Sequence, residues 1–409
     1  MDKTKLALPL RLRRLITWII GAIFFIGGIL KLMDPTGATL VMDEYFKFFH
    51  ITFMAPTAQF FAVTFALIET ILGTALITGV WRRIVGWITL GVISFFTLIT
   101  LLLVIFNPTM DCGCFGEAIH LTHVQTFTKN IVILILYLMA FYPIGKMGKP
   151  RKVKYVSFSI VSLSVIFFMI YSLLRLPLID FTDFKPGAVI AAAEKSWTNI
   201  NTEPEYTFIY EKNGQQEKFS LTNLPDSTWT FVESRLNNTE DSPNKIVAPY
   251  LSFTDEAGTY CDSLAAEGPI IMISVYQPEK LKTKHWDKIY NVVHESYSNG
   301  LTPMLLVAAT SEQMHQIFAD PTQYIGMTDI IYYSDYKTLI TLNRSNGGYT
   351  YLEDGIIIKK WSHQQGLKLD SIQALAQNDA EESLITEKTS SNIKFQGFLL
   401  YTFAIMLLL

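Results

Sequence analysis

Charge is scarce in this sequence. Only 17% of the 409 residues are charged, 50% are hydrophobic, and the mean hydropathy is +0.28. A soluble protein of this size is rarely so apolar, so the composition predicts membrane-spanning segments. The net charge is −3, and no block of lysine and arginine alternates with aromatic residues. A nucleic-acid partner is therefore not expected.

The motifs of several enzyme classes are also missing. The stretch Gly145-Lys146-Met147-Gly148-Lys149 lacks the spacing of a phosphate-binding loop, and no His-Glu-x-x-His or Ser/His/Asp set is visible. A hydrolase therefore has no support. Cysteine is rare as well, with three residues in the whole chain. Two of them, Cys112 and Cys114, stand one residue apart in Asp111-Cys112-Gly113-Cys114-Phe115-Gly116. A pair so close can form a small, strained disulfide ring, which is the exchangeable kind.

Long apolar runs predict the membrane topology. Five are close to the roughly 20 residues that cross a bilayer core; they are 15–32, 58–80, 84–106, 127–144 and 155–174. The first follows a cluster of arginines but has no small-residue cleavage site, so we interpret it as a retained anchor. A sixth run, 395–409, has only 15 residues. It is long enough to span a thin region, to lie in the interface, or to be part of a truncated span.

Basic residues predict the orientation. The segments 1–14, 82–83 and 146–154 carry 12 lysines and arginines, whereas the loops 35–57 and 107–126 carry only Lys47. The positive-inside rule places the N-terminus in the cytoplasm of a bacterium and the cysteine pair outside the inner membrane. Residues 176–391 would then lie in the periplasm, where disulfides persist. If 395–409 crosses the bilayer, the C-terminus is cytoplasmic.

The large segment after the fifth apolar run changes character. Residues 180–247 predict an accessory β-rich unit, with a hairpin around Asn213-Gly214 and a short helix near 227–235. From Pro249 a lead-in hairpin precedes buried strands at 270–276 and 302–308, and the predicted order is then β-α-β-α-β-β-α.

This order, over 249–377, is similar to the thioredoxin-like fold of the TlpA type. The reactive cysteines of that fold should follow the first buried strand, at 277–281, and its cis-proline should lie near 346–348. Neither is present, and Cys261 lies in the lead-in hairpin. We therefore expect a recognition or scaffolding domain that has lost thiol exchange.

The membrane half also resembles a known family. Four stretches agree with the DoxX-like/MauE superfamily of four-helix membrane proteins: Gly28-x-x-Lys31-x-x-Asp34-Pro35, Glu69-x-x-x-Gly73, Asp111-Cys112-Gly113-Cys114-Phe115-Gly116 and Lys129-Asn130. With its thioredoxin-like fusion, the chain looks like a DoxX-family protein of the Bacteroidota type. The resemblance implies a role in redox homeostasis or in disulfide formation in exported proteins.

Together these patterns predict a membrane all-α bundle with a periplasmic α/β thioredoxin-like domain. The expected parts are a DoxX/MauE-like four-helix domain (1–150), a fifth transmembrane helix (151–179), the accessory unit (180–247), the degenerate thioredoxin-like domain (248–380), and a linker with a possible last span (381–409).

Three interpretations of the cysteine pair are open. It is a thiol–disulfide relay, a structural disulfide or turn, or part of a metal site formed by Cys112, Cys114, His120 and His123. The flanking Asp111 and Glu117 should raise the thiol pKa values, with Lys129 as an offset.

Glu69 lies deep in the second apolar run, where a carboxylate is costly and marks a functional candidate. It either carries the proton that accompanies electron transfer or locks the bundle, with Lys31, Asn130 or a tyrosine as partner. Lys31 has the alternative of snorkelling to the interface.

The leading hypothesis is a membrane thiol–disulfide protein acting through Cys112, Cys114 and Glu69, with a quinone as one possible electron acceptor. Residues 180–380 would bind a periplasmic or membrane protein partner. The rival hypothesis is a non-catalytic subunit or assembly factor of an inner-membrane complex that handles exported proteins. A transporter ranks third, because Glu69 is the only charge in the second and third apolar runs.

Overall fold

The structure is a computed structural model. It describes residues 9–108, 110–141, 150–190, 206–212, 215–220, 230–236, 249–320 and 323–409. The predicted turn at Asn213-Gly214 lies outside the described residues.

Six helices of the described chain are long and apolar enough to cross a membrane. Five of them confirm the predicted apolar runs: α1 (Leu10–Met33), α3 (Ala58–Thr78, preceded by a 3-10 turn at Thr52–Thr57), α4 (Arg82–Phe106), α5 (His123–Phe141) and α6 (Lys152–Leu174). The protein is therefore a membrane protein. We call α1–α5, with the connections between them, the membrane bundle.

One helix was not expected. The segment 35–57, predicted as a loop, contains α2 (Pro35–Phe48). Asp34 ends α1 and caps α2, because its carboxylate accepts a hydrogen bond from the Gly37 amide at 2.9 Å. Pro35 then starts the helix with a preset φ and no amide to satisfy. Asp34 and Pro35 thus end the first helix and also begin the next one.

Helices α1 and α3 pack closely because small residues line their contact. A methyl group on Gly28 would lie 2.2 Å from Thr70 Oγ1 and 2.7 Å from the Ala66 carbonyl oxygen. In lipid, where water drives no helix association, such close backbone approach is a main source of packing energy. The glycines of α1 therefore fix the pairing around which the bundle is built.

The described part of the accessory segment is a three-stranded antiparallel sheet. Its strands are β2 (Tyr206–Lys212), β3 (Gln215–Ser220) and β4 (Thr230–Leu236), in the order β3-β2-β4. The helix predicted near 227–235 is wrong, because the backbone from Thr230 pairs with β2 instead. Pairing across the sheet, which a local pattern does not report, decides the outcome.

The second sheet has five strands in the order β7-β6-β5-β8-β9. β5 (Pro269–Val275), β6 (Thr302–Val307) and β7 (Ile331–Tyr333) are parallel, and the hairpin of β8 (Gly348–Glu353) and β9 (Ile356–Trp361) is antiparallel to β5. Four helices follow the strands: α7 (Thr283–Ser298), α8 (Ser311–Ile317), α9 (Tyr336–Leu342) and α10 (Leu369–Gln377). We call residues 249–377 the α/β unit.

The predicted order β-α-β-α-β-β-α is found with one further helix, α9, between β7 and β8. Residues of β5 alternate between two cores, with Ile271 and Ile273 in one and Ile270 and Met272 in the other. A strand buried on both faces is a continuous apolar run, which is why the sequence shows it clearly. The N-cap of α8 is Thr310, whose hydroxyl accepts from the Gln313 amide, and Ser311 is the first helical residue.

The last apolar run belongs to a longer helix than expected. α11 spans Ala380–Leu408 and is the sixth helix long and apolar enough to cross a membrane. Its charged first half lies against β9, where Lys359 Nζ is 3.1 Å from Glu387 Oε2. Its apolar second half packs on α6, with Phe398 beside Phe168. The helix therefore connects the α/β unit with the membrane helices.

Candidate functional site

The segment with the two cysteines folds back against the membrane bundle. Cys114–Glu117 form a short extended stretch, β1, beside the end of α1. Gly113 has a φ of +61°, which a residue with a side chain rarely adopts, and a methyl group there would lie 2.4 Å from Val41 of α2. The Tyr45 hydroxyl of α2 donates to the Cys112 carbonyl at 3.0 Å. The unexpected helix α2 thus holds the loop from one side.

The two thiols differ in exposure. Both are free cysteines in the structure; Cys112 is buried with 7% exposure, and Cys114 is half-buried. Burial raises the pKa of the Cys112 thiol. The Asp111 carboxylate raises this pKa further and the Lys129 ammonium opposes it, as the sequence predicted. Cys112 is therefore held as a thiol, and Cys114 is the more accessible of the two.

Glu69 has a direct partner. Its Oε2 lies 2.5 Å from the Nζ of Lys31, and the two side chains are only 13% and 16% exposed. Lys31 therefore pairs inside the bundle and does not snorkel to the interface. Asn130, the other partner considered, donates instead to the Thr100 hydroxyl at 3.2 Å and ties α5 to α4.

The ion pair and the cysteine loop meet at α1. A methyl group on Gly27 would lie 3.0 Å from Glu69 Oε1, 3.4 Å from the Cys114 carbonyl oxygen and 3.7 Å from the Phe115 ring. Glycine at this position lets the carboxylate and the loop approach one point on the helix. Three distant parts of the sequence thus meet here: the end of α1 with Gly27 and Lys31, α3 with Glu69, and the loop with Cys114.

A cavity of about 320 Å³ opens between the helices at this point. Both cysteines, the Lys31–Glu69 pair, Lys129 and Asn130 line it. The rest of its wall is largely aromatic, with nine rings from α1–α4 and the loop: Phe24, Tyr45, Phe46, Phe49, Phe61, Phe65, Phe95, Phe96 and Phe115. Two ammonium groups face these rings, with Lys129 Nζ 4.7 Å from the Phe115 centroid and Lys31 Nζ 5.8 Å from that of Phe96. An apolar cavity with a few polar groups at one end is the usual form of a small-molecule site.

The histidines do not join the cysteines. His120 lies 3.3 Å from the Asp111 carboxylate, and His123 Nε2 is 2.9 Å from the Met110 carbonyl oxygen. No group of three or more histidine, cysteine or carboxylate side chains with metal-binding geometry is found among the described residues. The alternative set Cys112, Cys114, His120 and His123 is therefore not assembled in the structure.

The sequence reasoning missed one buried group beside this site. Arg344, in the turn between α9 and β8, has Nε 3.0 Å from Asp34 Oδ2 and an Nη 3.1 Å from Glu117 Oε1. In the sequence, Asp34 stands out only as part of the family motif and Glu117 only as a charge that flanks the cysteines. Their shared partner is about 230–310 positions away in the sequence, so no local pattern reports the contact.

Comparison with known families addresses the membrane bundle. Residues 10–143, about a third of the chain, match the family model described as methylamine utilisation protein MauE. This segment is a MauE-family membrane domain. Residues 204–238 match a domain of unknown function, DUF8463. No curated protein matches the chain, and no solved structure does either.

The MauE part of the sequence resemblance is thus confirmed, and its limits agree with α1–α5. Every polar residue of the cavity belongs to this MauE-family domain. The DoxX assignment and the thioredoxin-like nature of the α/β unit stay predictions.

Proposed function

We propose that the protein is a thiol–disulfide redox protein of the bacterial inner membrane, working through Cys112 and Cys114. One observation carries the proposal: the two cysteines line the same aromatic cavity as the buried Lys31–Glu69 pair. A sulfur pair, a proton-carrying carboxylate and an apolar cavity are the parts that oxidation of a dithiol inside a membrane needs.

The acceptor we propose is a quinone, a flat ring that aromatic side chains bind and that dissolves in lipid. Cys112 and Cys114 each lose one proton and together lose two electrons as their disulfide forms. A quinone bound in the cavity would supply the oxidant for both electrons and both protons, leaving as a hydroquinone. Glu69 would relay a proton from the thiols, and Lys31 would be the hydrogen-bond donor for a quinone oxygen.

The disulfide then passes to a client protein. A client thiolate attacks the Cys114 sulfur, which is the more exposed of the two, and Cys112 leaves as a thiol. The second client thiol resolves this mixed disulfide, so the client gains a disulfide and both cysteines return to thiols. The raised pKa of Cys112 makes it a poor attacking group once it has left, so it does not readily reverse the step by attacking the mixed disulfide.

The test uses the whole protein in lipid nanodiscs, reduced and then freed of reductant. Ubiquinone-1 is added, and hydroquinone absorbance and free thiols by mass spectrometry are followed together. We expect one hydroquinone for each pair of thiols lost. Cys112→Ser and Cys114→Ser should abolish the reaction. Cys261→Ser is the matched control and should not, because Cys261 lies in the α/β unit away from the cavity. Thiols that stay reduced in the presence of the quinone would refute the proposed reaction.

A second candidate function has an observation of its own. Cys112 is buried, and the α/β unit has no thiol at 277–281. Both facts favour a non-catalytic subunit or assembly factor of an inner-membrane complex. Purification under native conditions distinguishes the two candidate functions. A stoichiometric membrane partner favours the non-catalytic subunit or assembly factor. A mixed disulfide trapped by Cys112→Ser favours the thiol–disulfide redox protein.

A further inference from the structure

Arg344 is the most deeply buried cation between the α/β unit and the membrane bundle among the described residues. Its side chain is 4% exposed. Besides its contacts with Asp34 and Glu117, the guanidinium donates to the Ile340 carbonyl at 3.2 Å, which ties it to the preceding helix α9. Burial alone would lower the pKa of Arg344, but the Asp34 and Glu117 carboxylates hold it above its ordinary value. The charge is therefore kept, with Nε hydrogen-bonded to Asp34 and Nη2 in ion-pair contact with Glu117.

The two carboxylates belong to different pieces of the bundle. Asp34 forms the corner between α1 and α2. Glu117 is the residue directly after the Cys-Gly-Cys-Phe-Gly string and ends β1. Gly37 allows them to meet, since a methyl group there would lie 2.5 Å from Asp34 Oδ2 and 2.9 Å from Glu117 Cγ. One guanidinium thus ties the helix corner and the cysteine loop to each other and to the α/β unit.

Further ion pairs also have the cation on the α/β unit and the carboxylate on the other side. Lys337 Nζ is 3.0 Å from Glu44 of α2, and the Thr36 hydroxyl donates to the Arg344 carbonyl at 3.4 Å. Lys360 on β9 is 2.7 Å from Asp180, in the segment after α6. In each ion pair the cation comes from the α/β unit and the carboxylate from the bundle or from the segment that follows it. The two surfaces are complementary in charge around the cysteine loop.

The chemistry of arginine explains why this residue type is needed. A planar guanidinium presents two directed donor edges, so it binds two carboxylates at once, which a lysine ammonium does less well. A buried charge is costly to leave unpaired, so such a pair selects one relative orientation of its partners. An exposed pair such as Lys337–Glu44 adds little by itself.

From these contacts we infer that Arg344 is a positioning residue for the Cys112–Cys114 loop, and that the α/β unit is docked as a structural part of the membrane site. Through Glu117 it holds the end of β1, and through Asp34 it holds the corner from which α2 covers the loop. The unit thereby sets how far the two thiols are exposed. This inference needs no thiol exchange, so it stands or falls separately from the proposed function.

The test measures alkylation rates of all three cysteines in the full-length, reduced protein in nanodiscs, with a maleimide and mass spectrometry. In Arg344→Gln we expect Cys112 to react about tenfold faster, because the loop opens locally more often. Cys261 reports on the folding of the α/β unit itself and should change less than about twofold. Arg344→Lys should recover part of the protection. Lys284→Gln, an exposed cation on α7, is the matched control and should leave all three rates unchanged.

A second variant covers the case in which Arg344→Gln disturbs folding. Glu117→Gln leaves the α/β unit untouched and should also accelerate Cys112. If all three cysteines accelerate equally in Arg344→Gln, this variant decides the matter. An unchanged Cys112 rate in Glu117→Gln, or in a well-folded Arg344→Gln, would overturn the inference.

Discussion

The ion pair between Lys31 and Glu69 allows the sharpest test of the site. At a separation of 2.5 Å and an effective dielectric constant near 20, the attraction is about 7 kcal/mol before desolvation is subtracted. Removing one partner of a buried pair typically costs about 3–5 kcal/mol, because the other charge is left uncompensated. We expect Lys31→Met to fall at the low end of this range, since Glu69 alone can take up a proton.

Replacing both residues should undo most of this loss. In the double variant Lys31→Met/Glu69→Met neither charge of the pair remains, and buried pairs replaced by apolar side chains are often neutral in stability. Thermal unfolding in nanodiscs of the single and double variants gives the coupling energy, which we expect to exceed about 2 kcal/mol. The same cycle on Lys47 and Asp43, an i,i+4 pair with Lys47 65% exposed, should give about 0.3–0.5 kcal/mol.

The double variant also separates the two roles of Glu69. If the carboxylate relays a proton, the double variant regains stability and still fails to reduce ubiquinone-1. If Glu69 only locks the bundle, stability and hydroquinone formation return together, and the relay role is refuted. Additive effects of the two single changes, within about 0.5 kcal/mol, would refute the coupling itself.

Three other outcomes follow from single positions. The alkylation rate of Cys112 should still rise with pH above 9, because burial raises its thiol pKa; a plateau below pH 8 would contradict this. Burial and the nearby His285 ring lower the pKa of His363 to about 4, so the unfolded chain binds the extra proton between pH 6.5 and 4. The contribution of His363 to the free energy of unfolding is therefore complete above pH 6.5 and should fall by up to about 3 kcal/mol toward pH 4. The variant His363→Gln should lack this pH-dependent loss in melting experiments. Gly28→Ala should lower the melting temperature of the bundle because its methyl group meets Thr70 and Ala66, whereas Gly91→Ala, with nothing within 4 Å, should be neutral or slightly stabilising.

Much of the fold was readable because it depends on local pattern. The apolar runs predicted five of the candidate spans, and the continuous run at β5 predicted a strand buried on both faces. Helix α2 was missed because its composition is mixed and its start depends on a cap, the contact of Asp34 with the Gly37 amide. The strand at Thr230–Leu236 was missed because only pairing with β2 defines it.

The candidate site was predictable in its members but not in its assembly. Cys112, Cys114 and Glu69 stood out by residue type and by location. Gly27 allows Glu69 and the Cys114 carbonyl to approach the same point on α1. The sequence alone does not show which groups contact a glycine in an apolar helix. The aromatic cavity was likewise hidden, because phenylalanines that line a site and phenylalanines that face lipid look the same in a sequence.

The docking of the α/β unit also bears on what that unit is able to recognise. If its fold is thioredoxin-like, as the sequence predicts, a client would bind at the sheet end where β5 leads into 277–281 and β8 begins. There the side chain of Asn346 accepts from the Gln277 amide at 3.0 Å and donates to the Gln277 carbonyl at 2.8 Å. Both backbone groups of Gln277 are therefore already used. Next to them, the Arg344 carbonyl accepts from Tyr276 and its guanidinium is held by the bundle. Contacts within the protein thus occupy this part of the sheet end, and a client that pairs with the backbone of Gln277 would have to displace Asn346.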